Sequence, residues 1–187
     1  MTVQGEKTRQ KLLDSALFLF VRRGIDETTT AEITKRAGVA EGTLFVHYEH
    51  KQTLINTLYL RIKEREIAFL GTLELDVNDP EACMKKLVAG VCEYFLRHYE
   101  EYRFITLVEM GHQVDRATIR RANEHLEAYR DMTRAWQRRG LVKRMDTEIM
   151  LGVTWNMCKA TIEYAHAGGG KKAPASLGQM AWDAIRR

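Results

Sequence analysis

Thr28-Thr29-Thr30-Ala31-Glu32-Ile33-Thr34-Lys35-Arg36-Ala37-Gly38-Val39-Ala40-Glu41-Gly42-Thr43-Leu44-Phe45-Val46-His47-Tyr48-Glu49-His50-Lys51 is the stretch on which the fold of this chain turns. Thr29 and Glu32 stand at the spacing of a capping box, in which the hydroxyl takes one orphan N–H and the carboxylate reaches back to another. They predict a short helix from Thr30 to Ala37, with Ile33 and Ala37 as its inward stripe. Gly38 follows where a helix end wants a left-handed residue, and Val39 plugs the turn. A second short helix is predicted from Glu41 to Tyr48. Leu44 and Tyr48 face inward on it, and Glu41, Thr43, Phe45 and His47 lie on the other face. A helix whose first half is small and polar fits a DNA major groove, which is wide enough for one helix.

Outward from this hairpin the chain reads as helix throughout. Only two prolines interrupt it, and strand-type alternation is absent, so an all-α fold is expected. A first helix is predicted from Lys7 to Arg23, buried along Leu12, Leu13, Ala16, Leu17 and Phe20. A long helix runs from Lys51 past Phe69, with Leu54, Leu58, Ile62, Arg65 and Phe69 as its stripe. Asp76 to Pro80 is a turn, with Asp79 as cap and Pro80 in the first helical position. That helix is expected to reach Tyr99, and a shorter one, opened by charged Glu100-Glu101 and then Arg103, to end near Gly111-His112. Asp115 is read as the cap of one long helix to Arg139, ended by Gly140. Asp146 or Thr147 begins a helix through Ala167. Gly168 to Pro174 is a loop, and Ser176 caps a last helix. The division expected is residues 1–50 as a helix-turn-helix head and residues 51–187 as a second helical domain.

The 187 residues carry a formal charge of +4, with 45% hydrophobic content and a pI near 9.0. That is enough apolar material for a core and permits an anionic partner without demanding one. Residues 1–70 hold 11 Lys/Arg against 9 Asp/Glu, so specific placement rather than bulk charge must supply any phosphate contacts. Cys83, Cys92 and Cys158 are odd in number and far apart. They read as reduced thiols of a cytoplasmic protein rather than a disulfide framework. No apolar run is long enough to span a membrane, and Met1 to Lys11 is too polar for a signal peptide. Enzyme chemistry is not expected: no nucleophile elbow or phosphate-cradling loop occurs. No Cys-x-x-Cys is present, so no metal or cofactor is expected. Gly168-Gly169-Gly170-Lys171-Lys172 lacks the flanking strand and helix of a phosphate cradle.

The first third resembles the tetracycline-repressor (TetR/AcrR-like) family of bacterial regulators. The matching residues are Thr8-Arg9, Leu12-Leu13, Ala16, Phe20, Gly24, Thr28-Thr29, Ile33, Ala37-Gly38-Val39, Gly42-Thr43-Leu44, His47-Tyr48, Lys51 and Leu54. The likeness covers about residues 6 to 66; beyond it only length and helical texture agree. It implies a DNA interface over Thr29, Thr30, Lys35, Ala40, Glu41, Gly42, Thr43, Phe45, His47 and Lys51. Thr29 and Lys51 would hold phosphates, Glu41, Gly42 and Thr43 would face bases, Phe45 would meet a thymine methyl, and His47 would touch the backbone. The chain departs from the family where Ala40 replaces the usual capping serine and Phe45 the usual hydroxyl-bearing aromatic. Glu41 places a carboxylate near the groove.

The same resemblance implies a small-molecule pocket and a two-fold dimer in the remaining domain. Soft and aromatic residues suit an adaptable apolar site; Cys92, Phe95, Tyr99, Phe104, Tyr129, Met132, Trp136, Trp155 and Cys158 are its candidates. The helix over Ile149 to Ala165 is apolar nearly all round, so it must be covered on several sides. The expected dimer interface is Ile149, Val153 and Met157 with Leu177, Met180, Ala181, Ala184 and Ile185 of the last helix. The reading is a homodimeric repressor that binds a pseudo-palindromic double-stranded DNA operator and is released by a small apolar or aromatic effector. The alternative is a helical protein-interaction or small-molecule-binding protein that has lost DNA binding.

Overall fold

Residues 3–169 and 172–187 are described by the computed structural model. They form α1 (Val3–Arg23), α2 (Thr30–Ala37), α3 (Thr43–His47), α4 (Lys51–Leu70), α5 (Pro80–Arg97), α6 (Tyr99–Gly111), α7 (Arg116–Glu124), α8 (Glu127–Arg138), α9 (Thr147–Tyr164) and α10 (Ala175–Ile185). A π-helical turn, Ala165–Gly169, follows α9. Among the described residues there is no strand, only an isolated bridge between Val142 and Arg186. The all-α expectation holds.

The chain packs as two units. One runs to Lys63 and adds Tyr99–Ala122; the other is Glu64–His98 with Asn123–Arg187. The boundary between these units falls inside α4, and α6 belongs to the first of them. The reason lies in α1, which buries Leu12, Leu13, Ala16, Leu19 and Phe20 and needs α6 to cover them. Phe104 of α6 stacks on Phe20 with ring centroids 6.0 Å apart.

Along α4 the buried stripe is Leu54, Leu58 and Ile62 as expected, but it continues through Glu66 and Leu70. Arg65 is exposed and Phe69 half-buried, because the buried row keeps its four-residue step to the end of the helix. α1 also starts earlier than Lys7.

In the second unit α5 packs against both α9 and α10. Asp79 caps α5 by accepting from the Ala82 N–H, with Pro80 in the first turn. α10 lies so close to α5 that a Cβ on Gly178 would stand 3.0 Å from the Lys85 Cα. α10 starts at Ala175 behind Pro174, with no side-chain cap; Ser176 sits inside its first turn rather than capping it. Asp146 caps α9 through the Glu148 N–H. After α10 the chain is pinned along the connector, where Lys143 N–H donates to the Ile185 carbonyl at 2.7 Å. Gly168 takes a φ of 100° in the loop that follows α9; Gly170 and Lys171 of that loop, like Met1 and Thr2, lie outside the described residues.

The single helix expected from Asp115 to Arg139 is two helices, α7 and α8, broken at His125-Leu126. No proline or glycine marks the break. Arg130, buried on α8, donates to the Asn123 carbonyl at 2.7 Å and to Glu148 of α9 at 2.5 Å. A carbonyl that a continuous helix would use internally is instead satisfied by a side chain and by the Leu126 N–H at 3.0 Å. Asp115, expected as the cap, accepts from Asn56 Nδ2 at 2.6 Å.

Candidate nucleic-acid interface

Within the first unit α2 forms as the sequence requires. Glu32 N–H donates to the Thr29 hydroxyl at 3.2 Å, and Thr29 N–H donates to Glu32 Oε2 at 2.9 Å. The capping box is complete. At the other end Gly38 takes φ 68° and ψ 37°. Gly38 N–H reaches Lys35 O at 3.3 Å and Val39 N–H reaches Thr34 O at 3.1 Å, which closes a Schellman turn.

Glu32 also pairs with Arg23. The Thr29 N–H, then its hydroxyl, and the Arg23 charge hold the Glu32 carboxyl below the usual carboxylate range. A depressed carboxylate stabilises fully above its ordinary pKa and loses that contribution as pH falls through the lowered value. Thr29→Ala removes the capping hydroxyl and should cost about 0.5–2 kcal/mol at neutral pH. Part of that deficit should close in acid as Glu32 protonates; thermal unfolding of both proteins across an acid series measures it. A deficit unchanged with pH would show that the Thr29 hydroxyl does not help hold Glu32 ionised.

α3 is shorter than expected, beginning at Thr43 rather than Glu41 and ending at His47. Ala40 has no side-chain acceptor, and Gly42 takes the capping position with no side-chain bond, so the first turn is not held open as helix. Tyr48 closes the helix in an extended conformation, its N–H on the Leu44 carbonyl at 2.8 Å. Leu44 and Tyr48 are buried, as the spacing predicted. Tyr48 hydroxyl donates to the Arg9 carbonyl at 3.3 Å, and the Arg9 guanidinium lies over its ring at 5.2 Å. Burial pushes the Tyr48 phenol up to about 12.

The outer face carries Glu41, Gly42 and Phe45, exposed, with Thr43 and His47 half-buried. It also carries Val46, 81% exposed beside Phe45 at 52%. Val46 was not among the expected contacts. Its position had a signal: two residues from both Leu44 and Tyr48, it points opposite them on a 3.6-residue helix. Lys35, Ala40 and Thr29 are exposed and Thr30 half-buried, but the Thr29 hydroxyl already donates its hydrogen to Glu32 at 3.0 Å. Lys51 is half-buried and donates to the Ile25 carbonyl at 2.5 Å, which ties the loop between α1 and α2 to the start of α4. Two of its three ammonium hydrogens remain for other acceptors.

The expected pocket residues divide between the units. Phe104 belongs to the head core, and Tyr99 stacks on Tyr102 at 5.6 Å in the same unit. In the second unit Phe95 meets Trp155 at 5.5 Å, Cys83 meets Met132 at 3.5 Å, and Trp136 donates its indole N–H to the Val77 carbonyl at 2.8 Å. Burial leads the upward shift of the half-buried Tyr129 phenol, with the Glu66 and Cys83 charges adding to it. An open surface hollow of about 380 Å³ is lined instead by Arg134, Gln137, Arg138, Arg144 and Met145.

Of the expected dimer residues, Leu177, Ala181 and Ile185 are buried within their own unit, on the helix that packs against α5. Met157 and Ala184 are half-buried. Ile149, Val153 and Met180 are 56%, 42% and 58% exposed. Among the described residues no three His, Cys, Asp or Glu side chains gather at a metal-sized point, and no helix is long and apolar enough to cross a membrane.

Residues 12–58 match the family model described as bacterial regulatory proteins, tetR family. The chain is 32% identical over 95 residues to the HTH-type transcriptional regulator AcrR of Shigella flexneri, covering 48% of this chain and 42% of that protein. It is 22% identical over 120 residues to the fatty acid metabolism regulator protein of Bacillus subtilis, covering 64% and 60%. The matches thus span less than two thirds of these curated relatives. A tetR-family regulator structure from Marinobacter aquaeolei superposes with a TM-score of 0.88 at 16% identity, over 100% of this chain and 99% of that one. One from Shewanella gives 0.85 at 23%, over 96% and 98%; at these identities the likeness is one of fold. Residues 12–58 thus carry the module of the tetR family of bacterial regulatory proteins, and the chain shares the fold of these regulators along its length.

Proposed function

We propose that this protein is a transcription regulator that binds a pseudo-palindromic operator as a homodimer and is released by a small apolar or aromatic effector. The observation that carries the reading is α3, a five-residue helix anchored by Leu44 and Tyr48 that turns Thr43, Phe45 and Val46 outward. Thr43 suits a base edge, and Phe45 with Val46 suits thymine methyl groups. Lys35 and Lys51 supply cations for phosphates. Exposed Ile149 and Val153 on α9 and Met180 on α10 support a dimer, which would place two α3 helices on half-sites about 34–36 Å apart. An effector that favours one geometry of α4 would shift that separation and the affinity with it.

The test is titration of the purified full chain with DNA from upstream of its own gene, at several salt concentrations, against unrelated DNA. Specific retention supports the reading; equal affinity for both DNAs at every salt opposes it. Lys51→Ala should weaken binding to all sequences and lower the salt slope by about one. It should also lower the thermal midpoint, because the bond to Ile25 is lost. A changed midpoint with an unchanged slope would make Lys51 structural only. Thr43→Ala should alter sequence preference more than non-specific affinity; a uniform loss across sequences would remove it from base reading.

A further inference from the structure

Cys92 on α5 and Cys158 on α9 are both free thiols and both buried, at 0% and 1% exposure. α9 packs along α5, and the pair sits at that contact. The Cys158 S–H points at the Val88 carbonyl at 4.0 Å, one helical turn before Cys92. The neighbouring Phe95 and Trp155 rings, 5.5 Å apart, bridge the same two helices. Cys83 faces Met132 instead. Two thiols at one helix–helix contact need less movement to bond than widely separated ones, which need the backbone to shift.

We propose that Cys92 and Cys158 are a peroxide-oxidisable pair that closes a disulfide between α5 and α9. Cys92, as thiolate, attacks one oxygen of a hydroperoxide; the O–O bond breaks, Cys92 becomes a sulfenic acid, and the other oxygen leaves with a proton as water or alcohol. The Cys158 sulfur then displaces the sulfenic oxygen, which leaves with the Cys158 proton as water, and the S–S bond forms. The two thiols lose two electrons and the peroxide gains them. The neighbouring Cys158 thiol holds the Cys92 thiol below its ordinary range. Its proximity to Cys92 and its burial raise Cys158. Cys83 is pushed up to about 11 by burial, with Asp76 and Asp79 adding to the shift, and is the less reactive third thiol. Burial restricts the oxidant to one small and uncharged, admitted by local opening.

The experiment uses the reduced full chain, hydrogen peroxide, alkylation under denaturing conditions and peptide mass mapping. The expected result is that two of the three thiols escape alkylation, that the Cys92 and Cys158 peptides are linked, and that dithiothreitol restores all three. Three alkylated thiols after exposure, a Cys92 sulfinic acid without the link, or a link to Cys83 would overturn the proposal. Cys158→Ala should abolish the link and leave Cys92 to over-oxidise; should that variant not fold, the map of the native chain decides alone. The readout is covalent, so it stands or fails separately from DNA binding.

Discussion

Replacing Leu44 with alanine should cost about 2–5 kcal/mol, the range for emptying a buried leucine site, and the loss should fall on α3, the helix proposed to face DNA. α3 has five residues and no capping side chain. Helices shorter than about 12–15 residues are marginal on their own, so α3 exists because it is packed. Leu44 is fully buried, and Tyr48 is its other inward anchor. With the leucine removed, one anchor must hold a helix that its backbone alone cannot. The amides of residues 43–48 should exchange with solvent far faster, and operator affinity should drop by about 30-fold or more, the equivalent of 2 kcal/mol. Hydrogen exchange and DNA titration on the same preparation measure both. Faster exchange with unchanged DNA affinity would show that α3 is not the reading element.

Trp136→Ala should destabilise the second unit by about 3–5 kcal/mol, enough to lower the thermal midpoint by about 6–20 °C in a chain of this size. Trp136 is 1% exposed, and its indole N–H donates at 2.8 Å to the Val77 carbonyl in the turn before α5. The substitution leaves both a large void and an acceptor without its donor. Trp136→Phe should recover most of the packing and cost about 1–3 kcal/mol for the unpaired carbonyl. Thermal unfolding of the three proteins separates the two contributions. Were Trp136 the wall of an open effector site, the alanine variant would lose ligand affinity with little loss of stability; a midpoint within a degree of the native protein would favour that role.

The elements most legible in the sequence were those whose signals are local. Thr29 with Glu32, Gly38, and Asp79 with Pro80 each set a helix end through bonds a few residues long, and each end stands where the residues placed it. The inward pair Leu44 and Tyr48 followed from spacing alone. Val46 was equally derivable but is apolar, and an apolar residue is expected to face a core before it is expected to face a groove. The break between α7 and α8 had no local signal, because its cause is Arg130 reaching Asn123 and Glu148.

The sequence by itself determined the helical class, the capped hairpin and its inward stripe, because hydrogen bonds and hydrophobic period act over one or two turns. Tertiary structure alone decided where the chain divides, since α6 joins the head only once α1 has a face to cover. It also decided which apolar residues are core. Leu177, Ala181 and Ile185 read like Ile149 and Val153 in a helical pattern, yet the first three are buried and the last two are exposed. A stripe shows that a helix face must be covered; only packing shows by what. Lys51 makes the same point for charge: its lysine suits a phosphate by type, but its ammonium reaches the Ile25 carbonyl first.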